Sequence, residues 1–202
     1  MFEVRLHGRG GQGTVTAADL LALAAFEEGR HAQSFPSFGS ERTGAPVVAY
    51  CRLAERPIRS RQPVVSPDCV VVIDPTLVHQ VDLFSGLGPD GFLLVNSAQT
   101  MRQLGLDSQA GHLRPERVLC LPATDVALRH LGLPRPNAAM LAAFAALTAQ
   151  VDLAAVSAAI RQRFGRHPTT AERNVAAAEE AFDMARHSLT ASGRGVLGAP
   201  AN

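Results

Sequence analysis

Three features of this 202-residue sequence predict an α/β protein with a mostly parallel sheet. The chain opens with a strand pattern, a glycine-rich turn and a helix pattern. Three later apolar runs, each four or five residues long, end at polar or proline-containing corners, which is typical of parallel strands buried on both faces. The last third is Ala-rich with helical spacing. Together these features predict a three-layer α/β/α, Rossmann-like domain with an Ala-rich helical C-terminal part.

The first elements are predicted between residues 2 and 51. Phe2–Leu6 alternates apolar and charged residues, as a half-buried strand does. A helix is predicted over Thr14–Glu28, with Gly29 as its stop. His31–Phe35 and Val47–Cys51 are strand candidates, and an irregular loop joins them.

The three apolar runs supply the central strands, over Cys69–Ile73, Phe92–Val95 and Val118–Leu121. Each ends at a corner of the kind that carries ligand loops in open α/β sheets: Asp74-Pro75, Asn96-Ser97 and Pro122.

The last third predicts three helices, over Ala138–Gln150, Leu153–Phe164 and Ala171–His187. Asn137 and Asp152 are suitable N-caps, and residues 169–172 fit a capping box. We expect one domain over residues 1–187 and a disordered tail rich in Gly, Ala, Ser and Pro over residues 188–202.

Composition narrows the functional classes. The net charge is +1, which gives no support for a nucleic-acid-binding surface. Three scattered cysteines, Cys51, Cys69 and Cys120, do not fit a disulfide framework, a zinc site or an iron–sulfur cluster. Charged residues interrupt the N-terminus, and no apolar run reaches membrane-spanning length, so we expect a cytoplasmic protein.

A glycine motif lies between the first strand and the first helix. Gly8, Gly10 and Gly13 match G-x-G-x-x-G at the position where the motif has a mechanism. The free N–H groups at the start of the helix favour an anion such as phosphate, and Arg9 can add a bidentate charge.

The motif does not by itself establish a dinucleotide site. Such a site needs an acidic residue at the end of the second strand, and the sequence there is Gln33–Ser37, without a carboxylate. A variant that binds NADP through an arginine remains open, as does a tight turn without a ligand.

Four further segments of the sequence, taken together with the glycine motif, resemble a known protein family. The sequence continues with Gln33-Ser34-Phe35-Pro36-Ser37-Phe38-Gly39-Ser40-Glu41-Arg42-Thr43-Gly44-Ala45-Pro46-Val47, and later with Pro57-Ile58-Arg59-Ser60, Val70-Val71-Val72-Ile73-Asp74-Pro75 and Pro136-Asn137-Ala138-Ala139-Met140-Leu141. This order resembles the gamma subunit, or gamma domain, of pyruvate:ferredoxin and related 2-oxoacid:acceptor oxidoreductases. The likeness runs from Met1 to His187. Thr43 departs from it, because the family often has a second Arg there.

The resemblance implies a role in a larger enzyme. In that family a 2-oxoacid and coenzyme A give an acyl-CoA, carbon dioxide and two low-potential electrons. It implies that thiamine diphosphate, Mg²⁺ and 4Fe–4S clusters belong to partner subunits: thiamine-binding alpha and beta, and a ferredoxin-like delta. The acceptor would be ferredoxin, or NAD through a flavin subunit.

The resemblance also implies a set of binding residues for coenzyme A at a subunit interface: Gly8, Arg9, Gly10, Gly11, Gln12, Gly13, Ser40, Arg42 and Asn137. No residue of this chain is predicted to be catalytic. Two alternatives stay open at this point: a free-standing Rossmann-type oxidoreductase that binds NADP or a flavin, and a purely structural subunit.

Overall fold

The structure is a computed structural model that describes residues 1–37, 44–60 and 62–191. Its strands are β1 (Phe2–Arg9), β2 (His31–Pro36), β3 (Pro46–Ala54), β4 (Cys69–Val72), β5 (Phe92–Asn96) and β6 (Val118–Leu121). Its helices are α1 (Thr14–Glu27), α2 (Asp107–Ala110), α3 (Ala123–Leu131), α4 (Asn137–Thr148), α5 (Leu153–Phe164) and α6 (Pro168–Ala191). Short 3₁₀ turns cover Pro75–His79 and Pro115–Arg117.

The six strands form one mixed sheet in the order β2-β3-β1-β4-β5-β6. Strands β1, β4, β5 and β6 run parallel to one another, whereas β3 pairs antiparallel with both β1 and β2. Among the described strands β3 alone runs in the opposite direction, so the predicted mostly parallel α/β sheet is confirmed.

The two faces of the sheet are covered unequally. On one face Leu6 and Val71 pack in a large apolar core with α1, α4, α5 and α6, centred on residues such as Phe144. On the other face Val70 and Val72 lie under residues 75–87 and 101–113, which form short turns and the four-residue α2. The helical layer is therefore thick on one side and thin on the other.

All six predicted strands are confirmed; β2 and β5 extend one residue beyond their predicted ends, and β1 and β3 extend further. β1 and β3 pair along their whole length, from Phe2 opposite Leu53 to Arg9 opposite Pro46. This ladder of hydrogen bonds keeps the backbone extended at positions where the apolar pattern has already ended.

Three predictions about helix ends need correction. Asn137 is not the cap of α4, because Pro136 takes that place and its carbonyl accepts the Met140 N–H at 2.7 Å. The capping box at residues 169–172 does not form, since α6 already begins at Pro168, whose fixed φ suits a first turn. Helix α6 also runs to Ala191, so the first four residues of the predicted tail are helical.

Other helix ends follow the sequence. The Asp152 side chain caps α5 by accepting a hydrogen bond from the Ala155 N–H at 2.6 Å, as predicted. Gly29 has φ +76° and closes the end of α1. Helix α3 was not predicted, because its sequence lacks a side-chain cap that would mark its start.

Candidate functional site

The glycine loop joins the end of β1 to the start of α1 and needs glycine for two different reasons. A Cβ atom at Gly8 would collide with the Thr14 hydroxyl oxygen and lie 3.3 Å from Ile73 Cβ, so any larger residue would displace the buried Thr14 side chain. Gly13 has φ +82°, in the left-handed region, and forms the N-cap of α1. The motif therefore fixes a tight turn that brings the backbone to the start of the helix.

Asp74 anchors this loop from the end of β4. One carboxylate oxygen accepts a hydrogen bond from Gln12 Nε2 at 2.6 Å, and Gln12 Oε1 in turn accepts from the Arg9 N–H at 2.8 Å. The other carboxylate oxygen accepts from the Thr76 N–H and hydroxyl. Burial alone would raise the pKa of Asp74, but the hydrogen bonds from Thr76 and Gln12 and the charge of Arg9 bring that pKa below its ordinary value.

The Arg9 guanidinium is held within the protein. Its Nε lies 3.2 Å from an Asp74 carboxylate oxygen. Its two terminal nitrogens donate to the Gly44 carbonyl at 3.1 Å and to Thr76 Oγ1 and Gln80 Oε1 at 2.8 Å. Arg9 is thus at the predicted place, but its hydrogen-bonding groups fix the loop and the segment around Gly44.

The glycine loop also pairs directly with that segment. The Gly10 N–H donates to the Ala45 carbonyl at 3.0 Å, and the Gly44 N–H donates to the Gly10 carbonyl at 3.2 Å. Ser40 and Arg42, two of the predicted binding residues, lie outside the described residues.

A hollow of about 310 Å³ lies over the start of α1, and we name it the helix-start hollow. Its lining residues are Arg9, Gly10, Gly11, Gly13, Thr14, Val15, Thr16 and Val47. Within the described part of the chain, the N–H groups of Thr14, Val15 and Thr16 have no hydrogen-bond acceptor. These donors and the positive end of the helix dipole suit an anion.

A larger cleft of about 470 Å³ opens on the other side of the loop, and we name it the arginine cleft. It is lined by Gly11, Gln12, Gly13, Thr16, Leu131, Leu133, Arg135, Asn137, Arg163, Phe164, Thr170, Arg173 and Asn174. Asn137 lies beside Gly13, with Nδ2 3.1 Å from where a Cβ of residue 13 would be. The structure thus brings Asn137 to the predicted loop.

His7 lies beneath the loop and is buried. Its Nε2 accepts a hydrogen bond from Arg5 Nε at 3.1 Å, which places the hydrogen of the neutral ring on Nδ1. Burial, together with the charge of Arg5, lowers the pKa of His7 to about 4. The ring is therefore neutral near pH 7 and supports the strand beneath the loop.

Sequence reasoning missed Asp74 as an anchor and missed the three arginines of the cleft. Asp74 did stand out as the corner after an apolar run, and that position is the available signal. The arginines come from three separate segments, and no sequence pattern joins them.

The topology differs from a dinucleotide-binding unit. In such a unit the second strand lies beside the first, and its end reaches the ribose. Here β3 lies between β1 and β2, which places β2 about 10 Å from β1 at ordinary strand spacing.

The described residues contain neither a metal-binding cluster nor a membrane-spanning helix. Over residues 1–37, 44–60 and 62–191, no group of three or more His, Cys, Asp and Glu side chains could hold a metal ion. No helix in the same ranges combines the length and apolar character needed to span a membrane.

Comparison with known proteins gives consistent matches. The family profile described as pyruvate ferredoxin/flavodoxin oxidoreductase matches residues 3–184. The pyruvate/ketoisovalerate oxidoreductases common subunit gamma of Pyrococcus abyssi is 44% identical over 183 residues, which cover 91% of this chain and 96% of that protein. Pyruvate synthase subunit PorC of Methanothermobacter marburgensis is 44% identical over 188 residues, covering 93% and 99%.

Two solved structures have the same fold as this chain. The crystal structure of pyruvate oxidoreductase subunit PORC from Thermotoga maritima matches with a TM-score of 0.77 and 35% identity, over 90% of this chain and 95% of that one. The 2-oxoglutarate:ferredoxin oxidoreductase from Magnetococcus marinus matches with a TM-score of 0.66 and 17% identity, and 100% of this chain aligns with 33% of that chain. At that identity the second match shows the fold alone.

Proposed function

This chain belongs to the pyruvate ferredoxin/flavodoxin oxidoreductase family, and from that premise we propose that it is the gamma subunit of a 2-oxoacid:acceptor oxidoreductase that helps to bind coenzyme A. The complete enzyme would convert a 2-oxoacid and coenzyme A to an acyl-CoA, carbon dioxide and a reduced acceptor. The names of its relatives favour pyruvate and branched-chain 2-oxoacids as substrates.

We assign the redox cofactors to partner subunits. Thiamine diphosphate, Mg²⁺ and 4Fe–4S clusters would lie in the alpha, beta and delta partners, and electrons would pass to ferredoxin or to NAD through a flavin subunit. In support, Cys51 and Cys69 are sealed in the core, where burial raises the pKa of each thiol and disfavours the thiolate that a cluster needs.

The helix-start hollow carries the proposal for coenzyme A. The unpartnered N–H groups of Thr14, Val15 and Thr16 face a space bounded by glycine backbone, where a phosphate can approach closely. Arg42 and Ser40 precede Gly44 in the sequence, and Gly44 is hydrogen-bonded to the glycine loop. We propose that Arg42 and Ser40 add charge and a hydrogen bond to the same phosphates. Arg9 would act by holding the loop in shape.

Arg42 provides the sharper test of the binding proposal. Replacing Arg9 and Arg42 together would mix two effects, since Arg9 also pairs with Asp74. We therefore expect Arg42→Ala, measured in the assembled enzyme, to raise the KM for coenzyme A by about tenfold, the effect of losing one charge-assisted hydrogen bond. The KM for the 2-oxoacid should not change.

Two further variants show whether a change in the KM for coenzyme A is caused by loss of the Arg42 charge. Arg42→Lys should recover part of the affinity, and Arg102→Ala, which removes an exposed arginine paired with Asp107, should leave both KM values unchanged. An unchanged KM for coenzyme A in Arg42→Ala contradicts the binding role and favours a purely structural subunit.

Purification of the tagged chain from its native cells under anaerobic conditions tests the partners. We expect larger subunits that contain iron and thiamine, with coenzyme-A-dependent reduction of a viologen dye by one or more 2-oxoacids. A chain that instead elutes alone with a bound nicotinamide or flavin would contradict the subunit assignment.

A further inference from the structure

The arginine cleft is strongly cationic. Arg135 precedes α4, Arg163 lies in the last turn of α5 and Arg173 in the second turn of α6, and the lining residues include no Asp or Glu. In the described part of the chain, none of these three arginines forms an ion pair. Three exposed guanidinium groups around one cleft create a positive potential that favours an anion.

Three helix starts strengthen this potential. Thr16 in α1, Asn137 in α4 and Thr170 in α6 each belong to the first turn of a helix of at least 12 residues, and all three line the cleft. Three positive helix ends therefore border the cleft, against two negative ends at Leu131 of α3 and Phe164 of α5, and the three arginines supply the larger part of the positive charge.

Asn137 gives an independent indication of a ligand. The residue is only 6% exposed, its side-chain amide has no hydrogen-bond partner among the described residues, and that amide opens onto the cleft. Amides of largely buried residues are nearly always hydrogen-bonded to protein groups, water or a ligand. Because Asn137 lines the cleft and does not cap α4, a polar ligand group in the cleft is a suitable partner.

The cleft also has an apolar wall. Leu131, Leu133 and Phe164 line it, and the Leu133 residue is 49% exposed. A volume of about 470 Å³ is in the range of small-molecule sites. The combination suits a ligand with anionic groups on an organic body that is itself partly apolar.

We propose that the arginine cleft binds a nucleotide, with phosphate groups on Arg135, Arg163, Arg173 and Asn137 and the base against the apolar wall. The inference rests on the proposed function in one respect, because coenzyme A contains such a nucleotide. The nucleotide end of coenzyme A and a separate free nucleotide share this chemistry, and the experiment distinguishes them.

Adenosine 3′,5′-bisphosphate is the probe, and its binding is measured by titration calorimetry on the full chain and on the assembled enzyme. The double variant Arg135→Ala/Arg173→Ala should fold normally, since both side chains are exposed and unpaired in the described structure. We expect it to bind the probe at least about tenfold more weakly than the wild type. Asn137→Ala should also weaken binding.

The charge-matched control is Arg102→Ala/Arg114→Ala, which removes two exposed arginines outside the cleft and should bind like the wild type. Equal binding by the cleft variant and this control overturns the proposal. Absence of binding by the wild type, both alone and assembled, overturns it as well.

The KM values for coenzyme A and dephospho-coenzyme A distinguish the nucleotide end of coenzyme A from a separate nucleotide. If the cleft variant raises the KM for coenzyme A but not for the dephospho form, the cleft holds the 3′-phosphate of the substrate. If neither KM changes while the probe still binds through the arginines, the cleft holds a separate nucleotide. The Arg42 variants test the proposed function separately, so its failure is distinguishable from failure of the cleft.

Discussion

Asp74 connects β4 to the glycine loop through a single carboxylate. Asp74→Asn would place an amide N–H₂ against Gln12 Nε2 or Thr76, which are donors already. We expect the free energy of unfolding to fall by about 2–3 kcal/mol and the KM for coenzyme A to rise, because the loop loses its anchor. Asp90→Asn, at an exposed ion pair, is the control. Urea denaturation and turnover that both match the wild type would contradict the anchoring role.

His7 makes the stability of the protein depend on pH. Its folded pKa is about 4, against an ordinary value of 6.5, so the unfolded chain takes up a proton over a range where the folded chain does not. Stability from this group is complete above about pH 6.5 and is lost as pH falls toward 4.

The size of this effect can be measured by urea denaturation. Between pH 7 and pH 5 we expect His7 to contribute a loss of about 2 kcal/mol in the free energy of unfolding. His7→Gln, which keeps an acceptor for Arg5, should remove that loss, whereas His187→Gln on the exposed face of α6 should retain it. Equal pH dependence in the two variants would contradict a buried neutral imidazole.

The roles of some site residues could be predicted from the sequence, and the roles of others could not. Gly8 and Gly13 could be assigned from the motif, because both requirements are local to the turn. The inward orientation of Arg9 could not, since it depends on Asp74 and Thr76, more than 60 positions along the chain. Ser40 and Arg42 remain predictions.

The cap of α5 is a local feature with a measurable contribution. Asp152→Ala removes the acceptor for the Ala155 N–H and should lower the free energy of unfolding by about 1 kcal/mol. Asp152→Asn keeps a side-chain oxygen at that position and should lose much less. Equal losses from the two substitutions would show that the capping hydrogen bond is not the cause.

Secondary-structure elements were largely predictable from local patterns. The short apolar runs predicted β4, β5 and β6 because strands buried on both faces need continuous apolar sequence. The helices α4 and α6 begin one and three residues ahead of their predicted starts, because Pro136 caps α4 and Pro168 is the first residue of α6. Local signals compete at such points, and packing decides between them.

The unequal layers of the whole molecule should appear in hydrogen exchange. Residues 75–87 and 101–113 cover their face of the sheet with short turns and α2, whereas β4 and β5 lie inside the sheet between both layers. We expect amides in residues 75–87 and 101–113 to exchange through openings of lower free energy than those of β4 and β5. Native-state hydrogen exchange at increasing urea concentration measures the opening free energy of each group of amides. If both groups show the same opening free energy and the same urea dependence, the turns do not open independently of the strands.

At this scale the α/β class was predictable and the arginine cleft was not. The class follows from the order of strand and helix patterns along the chain. The cleft requires segments near residues 12, 135, 163 and 173 to meet, which depends on how α4, α5 and α6 pack around α1. The position of β3 between β1 and β2 likewise depends on long-range pairing.

The thick helical layer has a consequence for synthesis on the ribosome. The central strand β1 emerges first, but its apolar face is completed by α4, whose Met140 and Phe144 join the same core as Leu6. At about 5–20 residues per second, roughly ten seconds separate these parts of the nascent chain. During that interval α1 and the short α3 are the described helices of this core that have been synthesised. Release of a chain truncated before α4 would therefore leave this apolar face of the sheet incompletely covered, and we expect such a chain to aggregate.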